Sequence, residues 1–168
     1  ALRNWAEVEE FAACVYARPE YIATLDVASP VAGYVYVDFE LRGCPVSKFQ
    51  LVEVLSALLI GRRPQIPTYS VCLECKREGT PCVMVSRRVP CLGPITQAGC
   101  GAICPKFHRG CYGCFGPMET PNIPSLCGYF EKHLGVTKPE LVRLLRGFNG
   151  YLEPFKTASD NYEQGAEI

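Results

Sequence analysis

The chain is short of most features that mark a sequence for a particular chemistry. Its 168 residues carry no net charge, with 17 Lys and Arg against 17 Asp and Glu, so overall charge favours neither nucleic acid nor an anionic membrane surface as a partner. No apolar run approaches the roughly 20 residues of a membrane span. No internal repeat is visible, and no serine, histidine and carboxylate grouping stands near a nucleophile. The sequence shows no charged-then-apolar leader, which points away from an oxidising compartment and toward the cytoplasm. The apolar fraction of 48% is that of a folded protein, and the length suits one domain or a domain with a small satellite.

What the chain has in excess is cysteine, 11 in all. Eight of them, Cys72, Cys75, Cys82, Cys91, Cys100, Cys104, Cys111 and Cys114, fall within forty-three residues and make two sets of four. Cys72-Leu-Glu-Cys75 and Cys111-Tyr-Gly-Cys114 have the two-residue gap that lets one turn aim both sulfurs at a common centre, a pattern suited to a metal or a redox dithiol. Turn-forming strings such as Gly99-Cys100-Gly101 and Cys104-Pro105 let the backbone wrap closely, and no hydrophobic core is expected there. A disulfide scaffold needs a short secreted chain. Structural zinc is the stronger alternative, but its paired motifs usually stand about 15 to 20 residues apart, whereas thirty-five residues separate Cys75 from Cys111. Iron–sulfur clusters use all eight thiolates, and a Cys-Pro at the end of a ligand run belongs to ferredoxin-type motifs. Lys76, Arg77, Arg87, Arg88, Lys106 and Arg109 outnumber Glu74 and Glu78 in the same stretch, which favours dense thiolates.

Around this stretch the pattern is α/β. Residues 1–18 read as a helix with Leu2, Trp5, Val8, Phe11 and Val15 on one face, with Cys14 as a small buried hydrophobe. Gly33 to Leu41 reads as a strand, with Asp38 and Glu40 on its surface. It runs into Gly43-Cys44-Pro45 and then a helix over 47–60, opened by a Ser47/Gln50 capping box. A cysteine on a loop at the carboxyl end of a strand sits where ligands bind in α/β folds. Arg62 to Pro67 reads as a linker, giving domains 1–66 and 67–168. Helices are expected over 125–134 and, behind a Thr137/Glu140 capping box, 137–148. Cys127 is expected to pack, and the polar residues from Thr157 onward to fray.

Four strings carry a resemblance: Arg42-Gly-Cys-Pro-Val-Ser47, Cys72-Leu-Glu-Cys-Lys-Arg77, the run from Pro90 to Pro105, and Arg109-Gly-Cys-Tyr-Gly-Cys-Phe-Gly-Pro117. In these the chain resembles the small subunit of nickel-iron hydrogenases, in the soluble, cytoplasmic branch that includes sulfhydrogenases and viologen- and NAD(P)-linked enzymes. The resemblance implies part of a flavodoxin-like domain followed by an irregular, loop-rich iron–sulfur domain with C-terminal helices. It implies two 4Fe-4S clusters, one on Cys72, Cys75, Cys82 and Cys91 and one on Cys100, Cys104, Cys111 and Cys114. Cys44 would be the last ligand of a third, proximal cluster whose other ligands lie in a segment upstream of Ala1. The implied partners are a nickel-bearing large subunit and a flavin- and iron–sulfur-containing electron-transfer subunit. The chain itself would conduct electrons without bond chemistry, with Tyr112 and Phe115 shielding the clusters and Gly93, Gly99, Gly101 and Gly113 donating backbone N–H groups. A free-standing ferredoxin-like carrier and a zinc-bound interaction module are the alternatives.

Overall fold

The computed structural model describes residues 7–23 and 29–165, and the chain divides into two compact units, Ala1–Phe39 and Glu40–Ile168. In the first unit the apolar period over the N-terminal segment produces helix α1 (Val8–Val15), followed by 3-10 turns at Pro19–Tyr21 and Val31–Gly33. Leu2 and Trp5, expected on its inner face, lie outside the described residues. No residue of α1 is buried, and Cys14 is exposed rather than packed. An amphipathic period predicts a face, but burial needs a surface to receive it.

The segment expected to be a strand, 33–41, is not paired: it opens as the end of a 3-10 turn and continues without regular structure. Tyr34, Val35 and Tyr36 stand exposed. A β-rich composition specifies an extended chain only together with a neighbour that accepts its backbone hydrogen bonds. Among the described residues the β pairing consists of two isolated antiparallel bridges, Ser70 to Gln97 and Thr96 to Pro117.

The second unit begins with the Cys44 loop and helix α2 (Lys48–Leu59). Ser47 is its N-cap, but it makes no side-chain capping bond, and Gln50 turns inward and is buried with Val54 and Ala57. The remaining faces of α2 expose Phe49, Val52, Leu55 and Leu59. Glu53 anchors the following linker: it takes two contacts from the Arg62 guanidinium, at 2.5 and 2.7 Å, and one from the Gln65 N–H at 2.9 Å. Those donors hold its carboxyl down at about 2, well below the usual range.

Three extended strips then lie together, tied by Val71 N–H to Thr96 O, Ala98 N–H to Tyr69 O, Gln97 N–H to Gly116 O and Met118 N–H to Ile95 O, each 2.9 Å. The short helices α3 (Val71–Arg77), α4 (Val83–Arg87) and α5 (Ile103–Lys106) fill the loops between them. Against expectation the cysteine region has a core: Val71, Val83 and Ala102 are buried with Cys91 and Cys111, while Leu92 and Ile95 reach into the C-terminal core.

That C-terminal core is built by α6 (Ile123–Tyr129), a π-helical turn (Phe130–Leu134), α7 (Lys138–Arg146) and α8 (Glu153–Glu163). The expected capping box at α7 forms, with the Thr137 N–H and hydroxyl both donating to Glu140 at 2.8 Å. Phe130, Leu141, Leu145 and Phe155 are fully buried, each contributing about 1.5–3 kcal/mol relative to exposure. Cys127 packs in this core, as expected. Helix α8 replaces the expected frayed tail: Phe155, Ala158, Ser159 and Tyr162 are buried on one face. The spacing is helical, but the small and polar members of the stripe hide it from a compositional reading. Arg146 joins α7 to α8 through Asp160 at 2.7 Å, Glu163 at 2.6 Å and Ser159 at 3.1 Å. Among the described residues no helix is long and apolar enough to cross a membrane.

Candidate metal centre

Cys72 and Cys75 sit three residues apart on α3, which puts both on one helical face. Cys82 is the N-cap of α4 and is exposed, whereas Cys91 lies buried in the loop that follows. These four are neighbours. Burial is the main cause raising the Cys72 thiol to about 11, and repulsion from Cys91, Cys75 and Cys82 adds to it while Lys76 opposes it. Cys75 is raised by burial and by the same Cys91 and Cys82.

The second group gathers around α5. Cys100 precedes that helix and Cys104 lies within it, and both are raised chiefly by burial. Cys104 feels repulsion from Cys100 and relief from the Arg109 guanidinium. Cys111 is buried most deeply and is strongly raised for that reason, with Cys91 and Cys100 adding repulsion. Cys114 is raised by burial and by Cys104 and Cys44. The eight thiols lie close together as one continuous neighbourhood: Cys75 feels Cys100 as well as Cys91 and Cys82, and Cys104 and Cys111 both feel Cys91 as well as Cys100. Among the described residues no three His, Cys, Asp or Glu side chains form a group that could hold a single metal ion.

Two backbone hydrogen bonds cross between these neighbourhoods. The Cys111 N–H donates to Cys91 Sγ at 3.1 Å, and the Cys44 N–H donates to Cys114 Sγ. Cys44 is therefore beside the second set, on an exposed loop.

The donors around the sulfurs suit an iron–sulfur cluster. Gly93 and Gly113 donate backbone N–H groups to Cys91 and Cys111, and Ile103 donates to Cys100. Such N–H donors, together with buried thiols and nearby Lys76 and Arg109, stabilise a thiolate-bound cluster. Gly93 also leaves room: a Cβ there would stand 3.3 Å from Cys91 Sγ and 3.7 Å from Cys72 Sγ, filling space between two sulfurs. Phe115 is buried, whereas Tyr112 is exposed, as are Arg87 and Arg88.

Several positioning residues carry no motif. Asn149 donates to the carbonyls of both Gly113 and Cys114 at 3.0 Å, tying the second C-x-x-C turn to the C-terminal helices. The Gly99 N–H, expected to face sulfur, instead donates to Glu74 at 2.9 Å. The buried Gln50 carboxamide packs on Gly99, where a Cβ would come within 2.8 Å of its Cδ, and its Nε2 has no hydrogen-bond partner.

Comparison with known proteins places this chain among relatives that are subunits of hydrogenases, which are oxidoreductases, and one of those relatives is named an iron–sulfur subunit. The chain is 42% identical over 119 residues to the delta subunit of sulfhydrogenase 2 from Pyrococcus furiosus, an alignment covering 71% of this chain and 49% of that protein. It is 35% identical over 112 residues to a subunit of the vhu F420-non-reducing hydrogenase of Methanocaldococcus jannaschii, covering 56% of this chain and 38% of the relative. It is 30% identical over 128 residues to the iron-sulfur subunit of the F420-non-reducing hydrogenase of Archaeoglobus profundus, covering 60% and 39%. The chain thus spans half or less of the length of these relatives. No family model matches it.

Proposed function

We propose that this chain is the electron-conducting part of a nickel-iron hydrogenase small subunit, passing electrons between a catalytic large subunit and a flavin- and iron–sulfur-containing partner in the cytoplasm. In this reading Cys72, Cys75, Cys82 and Cys91 hold one 4Fe-4S cluster and Cys100, Cys104, Cys111 and Cys114 hold another. Cys44 completes a third with ligands from an upstream segment. The exposed apolar side chains of α2, among them Phe49, Val52, Leu55 and Leu59, favour a larger flavodoxin-like domain for residues 1–66, since large exposed apolar patches are normally covered.

One observation carries the reading. The Cys111 N–H donates to Cys91 Sγ at 3.1 Å and Cys44 stands beside Cys114, so thiols of all three proposed clusters are near neighbours, which supports a short electron path. When bound, iron–sulfur clusters supply one-electron exchange. The chain's own residues do the rest: buried cysteines exclude water, backbone N–H groups and Arg109 favour the thiolate charge, and Phe115 shields the second set.

The test is purification without oxygen, followed by iron, sulfide and zinc analysis and anomalous scattering at the iron edge. Iron and sulfide near eight atoms of each per chain are expected for two cubanes, by the stoichiometry of such clusters. A colourless protein with stoichiometric zinc and no sulfide overturns the proposal in favour of a zinc-bound module. A soluble, redox-competent monomer that binds no nickel-bearing subunit overturns it in favour of a free carrier.

A further inference from the structure

We propose that Glu74 is a positioning residue shared by the two cysteine sets, its carboxylate fixing the turn that presents Cys100 and lowering the reduction potential of the iron bound on either side. The inference rests on the iron–sulfur reading above and assigns a role to a side chain outside the thiol ligands.

Glu74 lies on α3 between Cys72 and Cys75, so its backbone belongs to the first set. Its side chain reaches the second. Oε1 accepts the Gly99 N–H at 2.9 Å, Oε2 accepts the Ala102 N–H at 3.2 Å, and Oε2 stands 3.8 Å from Cys100 Sγ. The two donors bracket Cys100 and both have left-handed backbones, Gly99 at φ +135° and Ala102 at φ +52°. That conformation is uncommon for alanine. As the N-cap of α5, the fully buried Ala102 has an N–H with no partner inside the helix, and a buried N–H needs an acceptor. One carboxylate thus clamps the whole turn from Gly99 to Ala102.

Two neutral N–H groups could be satisfied by a carbonyl or an amide. A carboxylate adds a charge, and it adds it between the sets: Glu74 stands between Cys72 and Cys75 in sequence, and its Oε2 lies 3.8 Å from Cys100 Sγ. Among the described residues no Lys or Arg lies within ion-pair distance of Glu74. A fixed negative charge beside thiolate-bound iron disfavours an added electron, and net charge is one of the levers that sets cluster potential. Because the carboxylate is common to both neighbourhoods, it moves the two potentials in the same direction.

Glu74→Gln keeps the shape and one acceptor oxygen while deleting the charge. Glu74→Asp keeps the charge but shortens the reach. Both are compared with the native full chain, purified without oxygen, for iron per chain and for midpoint potentials by redox titration followed by electron paramagnetic resonance. Glu74→Gln is expected to keep most of its iron and to shift both potentials upward, and Glu74→Asp to lose part of its iron from the Cys100 side while the iron it keeps titrates near the native potentials. Glu74→Gln with full iron and unmoved potentials makes Glu74 a loop anchor and overturns the proposal. Should Glu74→Gln fail to load iron, Glu74→Asp decides alone: potentials displaced despite the retained charge overturn it. A native chain without iron and sulfide defeats the iron–sulfur reading itself, whereas an iron-loaded native chain with an indifferent Glu74→Gln defeats only the role given to Glu74.

Discussion

The C-terminal helices and the cysteine region belong to the same compact unit but are held together differently. Helices α6 to α8 are specified by apolar side chains at helical spacing, and Phe130, Phe155, Leu141 and Leu145 form a continuous buried core. The cysteine region has a smaller core around Val71, Val83 and Ala102 and adds to it side-chain bonds between residues far apart in the chain: Glu74 to Gly99 and Ala102, Asn149 to Gly113 and Cys114, and Gln97 to Pro67 at 2.7 Å. The helical part tolerates polar change on its outer faces, while the cysteine region depends on a few groups with no substitutes. The two meet at Phe155 and Leu92, whose side chains pack over Gly113 in the second C-x-x-C turn.

The strongest way to break this contrast is at that meeting point. Phe155→Ala removes a fully buried ring and is expected to cost about 3–5 kcal/mol, measured by denaturant unfolding, and to lower iron content because the turn below it loses its support. Stable folding with full iron would show that the two parts do not lean on one another. Next, Cys91→Ser is expected to abolish the signals of one cluster while sparing the other. Loss of both together would show that the Cys111 N–H to Cys91 Sγ bond makes the two sets one unit. Asn149→Ala deletes two hydrogen bonds to carbonyls and is expected to cost about 1–3 kcal/mol, with iron lost from the Cys111 and Cys114 side first. The smallest effect belongs to Thr137→Ala at the start of α7, expected to cost about 1 kcal/mol in thermal unfolding and to leave iron unchanged.

The same cap gives a pH test. The Thr137 N–H and hydroxyl hold the Glu140 carboxyl below its ordinary value. A depressed folded-state value means stability present above the unfolded pKa and lost as pH falls through the folded one. Part of the acid sensitivity of unfolding below about pH 4.3 should therefore disappear in Glu140→Gln. An unchanged pH profile in that variant would assign the acid sensitivity to other groups.

The same division explains what could be read from the sequence. The α7 capping box, the α2 and α6 segments and the packed Cys127 follow from local period and local chemistry. Helix α8 escaped because Ala158 and Ser159 fill inward positions with small side chains. The strand expected over 33–41 and the burial expected of Cys14 are absent because both require a receiving surface, which local composition cannot report. Glu74, Asn149 and Gln50 were invisible as site residues for the opposite reason: each acts on a turn 25 to 49 positions away in sequence, and no short motif encodes a contact at that range. Ser47 and Gln50 show the limit most directly. They have the same spacing as Thr137 and Glu140, yet tertiary packing on Gly99 draws Gln50 into the interior.

The bond from the Cys44 N–H to Cys114 Sγ is made by main chain, so replacing the Cys44 thiol leaves the donor in place. Among the twenty genetically encoded residues only proline lacks that hydrogen. A serine or alanine at this position therefore separates two contributions usually lost together, the sulfur that Cys44 offers and the polarisation that its peptide group imposes on its neighbour.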